Sequence, residues 1–347
     1  MRRSIVIAAE ILDRSGALGL VRAARRRGLG PRGGLTVVLY HRVAEPSEVT
    51  PLDTDMIDAT PAEFDQQMGY LRAHFHPVSI DEVLSTWRRG AKLPADSVLV
   101  SFDDGYLDNF QNAVPILRRH GMSGLFFVAT GHVSERRLFW WEHLYLLVSR
   151  STRDTVELEY PARERLDLSN AAGRMASVRR LNRIVKDHYD LDLDRFIDGV
   201  AAACGVERGE TEARALADRA LMTWDQIKEM RKLGMGIGSH TRSHRVLQTL
   251  PPEAVASELR DSRSVLESHL GEPVTTIAYP VGKPLAELPA LRQAVIDAGY
   301  EMGFSTRPGI NPLLPGTDPF DLYRLTIDKG VPRGLSHVWL TFPFLTR

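Results

Sequence analysis

Cysteine is almost absent from this 347-residue chain, and Cys204 is the only one. An intrachain disulfide needs a second cysteine and a thiolate zinc cluster needs several, so both are excluded. Cys204 falls in the run VAAACG, which reads as a helix face where a thiol serves as a small buried hydrophobe. Net charge is missing too. Forty-four Lys and Arg balance forty-four Asp and Glu, so no global field draws in nucleic acid, and any charged partner must be met locally. Long hydrophobic runs are also lacking. The N-terminal stretch MRRSIVIAAEILDRSGALGLVRAARRRG begins like a secretory leader, but Glu10 and Asp13 interrupt its apolar part and no small-residue cleavage site follows. That part is far too short to span a bilayer. It reads as an amphipathic helix whose basic end, Arg22 with Arg25, Arg26 and Arg27, is first of all a solvated helix end, and could also make peripheral contact with anionic lipid or another subunit. A cytoplasmic or membrane-surface location follows as the expectation.

What is present is a globular profile: 43% hydrophobic and 25% charged, enough for an ample core. Seven short β-rich runs stand out: 35–41, 97–104, 123–130, 235–240, 274–282, 301–306 and 322–327. Most are continuous apolar or β-branched stretches rather than alternations, as in strands of a parallel sheet covered on both faces. Helical stretches separate them. Thr60-Pro61-Ala62-Glu63, Ser79-Ile80-Asp81-Glu82 and Thr223-Trp224-Asp225-Gln226 look like capping boxes. Val255, Leu259, Ser262, Leu266 and Leu270 mark one helix face, and Gly121, Gly234 and Gly271 stand where helix C-caps belong. Repeated strand-then-helix indicates α/β architecture, and seven units favour a parallel β/α barrel over an open sheet. The expected organisation is an N-terminal helical segment (1–34), a barrel (35–131 and 221–330), a helical insertion on one barrel loop (132–220) and a C-terminal tail (331–347).

In such a barrel, catalytic groups gather at the C-terminal ends of the strands. The polar residues there are His41, Asp103, Asp104, His240 with His244, and Arg324. Two carboxylates side by side repel each other unless a positive group joins them or one keeps its proton. In GSHTRSH, His240 and His244 lie four apart directly after a strand, a spacing that lets two imidazoles converge on one ion. An H-x-x-x-H pair is only moderately specific, and Asp-Asp-Gly after a strand can be a simple turn. Together, two His and one carboxylate make a facial set for Zn2+ or a similar ion, with positions left open for water and substrate. The neighbouring carboxylate is then placed to accept a proton.

S-F-D-D-G, H-T-R-S-H and A-Y-P-V-G, in that order, make the sequence resemble the NodB-homology polysaccharide deacetylases, over roughly 35–131 and 221–328. The resemblance implies a distorted seven-stranded β/α barrel and a metal-dependent hydrolase of acetyl groups on sugars, using Zn2+ or another transition metal such as Co2+ or Ni2+. Carried over, Asp103 is the general base, and Asp104, His240 and His244 are the metal ligands. Tyr279, Pro280, Val281 and Gly282 line the groove, with the Val281 N–H donating to the oxyanion. Two departures stand out. Many members carry an arginine where this chain has Ala278, and a late Leu-x-His where it has Leu325-Thr326-Ile327-Asp328. A branch resembling the poly-N-acetylglucosamine deacetylases takes its acid histidine from an early Y-H-x-[IV] segment, matched here by Tyr40-His41-Arg42-Val43. By that resemblance His41 becomes the general acid, and Arg324 the substitute for the missing arginine.

Trp140, Trp141 and Tyr106 are candidate platforms for the C–H faces of a sugar, and each Trp could instead anchor the insertion. The expected substrate is an N-acetylated amino-sugar glycan. O-acetyl hydrolysis on a polysaccharide, a linear-amide hydrolase and a non-catalytic sugar-binding barrel are the alternatives.

Overall fold

All seven expected strands form, each shorter than its sequence run. They are β1 (Leu35–Tyr40), β2 (Ser97–Phe102), β3 (Gly124–Val128), β4 (Gly236–Ser239), β5 (Thr276–Ala278), β6 (Met302–Phe304) and β7 (Leu325–Thr326). The computed structural model describes residues 3–27, 34–285, 287–313 and 317–345. The strands pair in parallel in the order β6-β5-β4-β3-β2-β1-β7. A two-residue strand, His76–Pro77, adds to β2. The sheet curls until its edges meet at one parallel bridge, Phe304 to Leu322, with the Ser305 N–H donating to the Leu322 carbonyl at 2.9 Å. This is a distorted β/α barrel.

Both faces of the strands are buried, as the continuous apolar runs predict. Leu35, Val37, Leu99, Leu125, Phe127, Met302 and Phe304 form one cluster. Their alternating neighbours Val38, Tyr40, Val98, Val100, Phe102 and Phe126 pack in another, with residues of the surrounding helices. The period of two therefore assigns each strand residue to the barrel interior or to the helix layer. The three capping boxes form with both reciprocal hydrogen bonds, each worth about 1 kcal/mol. Helix Pro252–Leu270 buries Val255, Leu259, Ser262 and Leu266 and ends on left-handed Gly271.

The segment between β3 and β4 is helical, with Trp140–Arg150, Ala171–Asp187, Leu193–Cys204 and Glu210–Ala220. It also holds an antiparallel ribbon, Thr155–Leu158 with Glu164–Asp167, which the sequence reading missed. Four-residue strands rich in Glu, Arg and Asp carry almost no apolar signal. The insertion's core is continuous with Ala44, Ile57, Tyr106 and Ala129 of the barrel, so it caps the strand ends rather than standing apart.

The N-terminal helices, Arg3–Arg14 and Ala17–Arg26, need a correction. Part of their basic end is turned inward, with Arg22 and Arg25 packed against the barrel while Arg26 and Arg27 stay exposed. Arg22 is buried and donates to the Tyr70 hydroxyl (3.1 Å) and Thr341 Oγ1 (2.9 Å). Arg26 reaches Asp96 Oδ2 (3.3 Å) and the His74 carbonyl (2.6 Å), and Arg25 lies 3.9 Å from Asp96. Asp96 immediately precedes β2, so these cations close the N-terminal end of the barrel, away from the strand ends that carry chemistry. Membrane contact through them is not supported. Ala9 and Leu18 pack on Leu335 and Val338 of a C-terminal helix, Arg333–Thr341. Residues 1–2 and 28–33 of the expected N-terminal segment, and 346–347 of the tail, lie outside the described residues. No helix among the described residues is long and apolar enough to cross a membrane.

Candidate active site

Alternation along β2 puts Leu99, Ser101 and then Asp103 toward the barrel axis. Asp104 would then face the opposite way. It does not, because its backbone is left-handed (φ 76°), and both carboxylates line one cavity. His244 (φ 53°) and Val281 (φ 62°) share this conformation, so three of the non-glycine residues with positive φ line the same cavity, and Thr241 (φ 63°) directly follows His240 of its wall. Each costs on the order of 1 kcal/mol or more, strain that persists only because the surroundings enforce it.

The structure brings Asp104, His240 and His244 together. His240 Nε2 lies 3.5 Å and His244 Nε2 3.3 Å from Asp104 Oδ1. The Ala278 carbonyl holds His240 Nδ1 at 2.8 Å, which leaves Nε2 facing the carboxylate. Donor atoms from all three residues lie within 4.8 Å of one another, and this is the only such trio among the described residues. Asp104 Oδ1 and His244 Nδ1 are buried without a hydrogen-bond partner. Burial, then the neighbouring charges of Asp103, Glu142 and Asp58, push the Asp104 pKa up to about 7 although His41 opposes them. Burial and then the other imidazoles hold His244 well below the usual histidine range. One carboxylate and two neutral imidazoles, buried and short of partners, fit a divalent transition metal.

Asp103 is held differently. Arg324, fully buried at the start of β7, clamps it with Nη1 to Oδ1 at 2.7 Å and Nη2 to Oδ2 at 2.9 Å. Arg324 Nε donates to the Ser305 carbonyl at 3.0 Å, so the fork is fixed from two sides. Burial alone would raise the Asp103 pKa. Arg324, with His240 and His41, more than offsets it and the net direction is down. The tandem acids are thus met differently: a guanidinium neutralises the first, and the second stands with two imidazoles that could share a cation with it.

His41 also lines the cavity. Its Nδ1 lies 3.1 Å from Asp58 Oδ2, and its backbone N–H donates to the same oxygen. Asn109 Nδ2 donates to the His41 carbonyl at 2.8 Å. Burial disfavours the imidazolium, but Asp58, then Asp104 and Asp103, outweigh it and the pKa rises to about 9. Asp58 was missed by sequence reasoning. It sits on a three-residue strand, Ile57–Ala59, too short to register.

The cavity measures about 250 Å³. Trp140, Trp141 and Val281 line it, as does Gly282, whose left-handed backbone (φ 66°) packs a Cβ-less face against Thr306. Three expected lining residues do not reach it. Tyr279 follows Ala278, which points inward, so its ring points out into the helix layer and its hydroxyl donates to the Phe320 carbonyl at 2.7 Å. Pro280 is buried beside it. Tyr106 is fully buried behind the wall. Its hydroxyl donates to Glu142 Oε1 (3.0 Å) and accepts from Trp141 Nε1 (3.0 Å), which steadies the indole against His244 at a ring separation of 4.7 Å. Asn182 and Lys186, from the inserted helix Ala171–Asp187, were not singled out in the sequence and do line the cavity. A larger cleft of about 520 Å³ lies on the far side of Asp58, lined by Tyr70, Asp328 and His337 among others. It shares Asp58 with this site but none of the trio.

A sequence model described as polysaccharide deacetylase matches residues 90–176 and 195–303. YxkH of Bacillus subtilis, whose name places it in the same family, is 21% identical over 298 residues, 86% of this chain and 72% of its own length. The poly-beta-1,6-N-acetyl-D-glucosamine N-deacetylase of Escherichia coli is 28% identical over 89 residues, 25% of this chain. Its counterpart in Staphylococcus aureus is 30% identical over 74 residues, 21% of this chain. Those segments span 13% and 26% of the two enzymes. Among solved structures, the Streptococcus pyogenes deacetylase PplD in complex with acetate superposes with a TM-score of 0.55 at 21% identity, covering 87% of this chain and 96% of that one. IcaB from Ammonifex degensii superposes with the same score and identity, covering 89% and 97%.

Proposed function

This chain belongs to the polysaccharide deacetylase family, and from that premise we propose that it is a metal-dependent hydrolase releasing acetate from N-acetylated amino sugars of a glycan. The observation that carries the reading is the division of labour at the strand ends. A buried Asp-His-His trio stands beside an aspartate that an arginine holds ionised, with an aspartate-backed histidine on the same cavity. The enzymes of Escherichia coli and Staphylococcus aureus named for poly-beta-1,6-N-acetyl-D-glucosamine support an amino-sugar substrate.

Asp104, His240 and His244 would hold the cation, which when bound supplies Lewis-acid polarisation of the acetyl carbonyl and a more acidic water. Asp103 accepts the proton of the attacking water. The Arg324 clamp lowers its basicity but keeps it ionised and fixes both oxygens, which favours orientation over proton affinity. The Val281 N–H, beside the cavity in its left-handed turn, is the donor for the oxyanion. His41, its Nδ1 tied to Asp58, presents Nε2 and donates a proton to the departing nitrogen. An amine anion is a very poor leaving group and an alkoxide a better one. A histidine kept protonated up to about pH 9 therefore favours the amide reaction over the ester one. Trp140 and Trp141 offer apolar edges to the sugar. A cavity smaller than the ~300 Å³ usual for ligand sites holds one acetylated residue and leaves the rest of the glycan outside.

The test is acetate release from a panel of N- and O-acetylated oligosaccharides, before and after chelation and with metal restored. Release from N-acetylated sugars that stops with chelator and returns with Zn2+, Co2+ or Ni2+ is expected. Turnover indifferent to chelation, or confined to O-acetyl esters, overturns the proposal.

A further inference from the structure

The inserted helix Ala171–Asp187 contributes two polar side chains to the cavity, Asn182 and Lys186, one turn apart on one face. Both fall between the two stretches that the family model matches, 90–176 and 195–303, so the general machinery of the family does not account for them. Asn182 Oδ1 is buried with no hydrogen-bond partner. The Lys186 side chain is half-buried, and no carboxylate among the described residues forms an ion pair with it. Its neighbour Asp187 is already taken, because Lys283 Nζ reaches Asp187 Oδ1 and the Lys186 carbonyl, each at 3.0 Å. Lys283 follows Gly282 of the cavity wall. That clamp seats the end of the inserted helix on the third motif and fixes where Lys186 stands.

We propose that Asn182 and Lys186 form a subsite for an acidic group, a carboxylate or phosphate, carried by the glycan next to the sugar that loses its acetyl group. The inference rests on the deacetylase reading above. Withdrawing an ammonium from water is costly unless a counter-charge meets it. The charges of Asp187 and Asp104 act on Lys186 but do not offset its burial. Neither pairs with it: Asp187 is bound by Lys283, and Asp104 stands in the trio that would hold a cation, while Asp103 is clamped by Arg324. An anion on the substrate is the partner left, and the Asn182 amide completes the subsite by accepting from one sugar hydroxyl and donating to another. Fully neutral glycans would leave the ammonium unpaired.

Three oligosaccharides of equal length test this: a neutral N-acetylglucosamine oligomer, one alternating with a uronic acid, and one bearing phosphate. Acetate release and calorimetric binding are measured on each with the metal-loaded wild type, Lys186→Met and Lys186→Arg. The wild type should favour an acidic glycan by about tenfold or more in kcat/KM and in affinity. Which acid it favours identifies carboxylate or phosphate. Lys186→Met should erase most of that ratio and Lys186→Arg should keep it. Equal use of neutral and acidic glycans by the wild type, or a uniform loss on all three in Lys186→Met, overturns the subsite. Acid-selective binding lost in Lys186→Met with no acetate released from any glycan would uphold the subsite and sink the deacetylase reading. Acetate release without acid selectivity would do the reverse.

Discussion

Asp58 never touches the cation site, yet its charge should decide the pH range over which the enzyme works. His41 must be protonated to donate, so activity is lost as pH rises through its pKa of about 9. Asp58→Asn keeps an oxygen that can accept the His41 backbone N–H but removes the carboxylate 3.1 Å from Nδ1. Burial, which lowers the pKa, then meets only the more distant Asp103 and Asp104. With Asp104 committed to a cation, the group returns toward its ordinary ~6.5. At pH 8 the protonated fraction falls from about nine-tenths to about 3%, so turnover of an N-acetylated sugar should drop roughly 30-fold. At pH 6 both forms are mostly protonated, and the loss should be less than about twofold.

The assay is initial-rate acetate release from pH 5 to 10 for the wild type and Asp58→Asn, on an N-acetylated oligosaccharide and on an activated acetate ester. The amide profile should lose its alkaline arm toward lower pH in the variant. The ester, whose leaving group needs no proton, should respond far less. An unmoved alkaline arm would refute the reasoning, because it would mean that His41 is not the group whose protonation limits the rate. Equal responses on amide and ester would refute it as well.

Asp104→Ala and His240→Ala should each abolish both bound metal, counted by elemental analysis, and turnover. Asp103→Asn should keep the metal while turnover falls by about 10²–10⁴-fold, and a near-normal rate there would remove the base assignment. Arg324→Met strands a buried carboxylate, so it should cost about 3–5 kcal/mol in chemical denaturation at neutral pH. Because the folded Asp103 pKa is depressed, the contribution of this pair is present above the ordinary aspartate range and fades as pH falls through the lowered value. The wild-type-to-variant difference should therefore shrink in acid. Arg22→Ala removes donors to Tyr70 and Thr341 at the far end of the barrel. It should lower stability by about 1–3 kcal/mol without changing cosedimentation with anionic vesicles, and a loss of vesicle binding would reinstate the membrane role.

What the sequence disclosed followed from how local each signal is. Continuous apolar runs announced seven doubly covered strands, and reciprocal Thr/Ser with Glu/Gln spacings announced three helix starts, because both signals act within a few residues. Asp103, Asp104, His240 and His244 were legible as chemistry, since charged and ligating groups rarely end buried strands without cause. Tyr279 was misplaced although the correcting signal was present. Period-two alternation from the inward Ala278 sends its ring outward, and motif reading overrode it. Asp58 was invisible because nothing in three residues of strand marks it, and the insertion's Asn182 and Lys186 were not singled out because one polar pair a turn apart on a polar helix carries no distinguishing signal. Arg324 lies between these cases. A cation at a strand end could be noticed, but the fork it makes with Asp103 spans 221 positions of chain and depends on how far the sheet curls. The resemblance sets an arginine at the position of Ala278, on β5, in many members; in this chain the guanidinium that meets Asp103 comes from Arg324, just before β7. The barrel brings both strand ends to the same rim, so the charge can move along the chain while the site stays where it was.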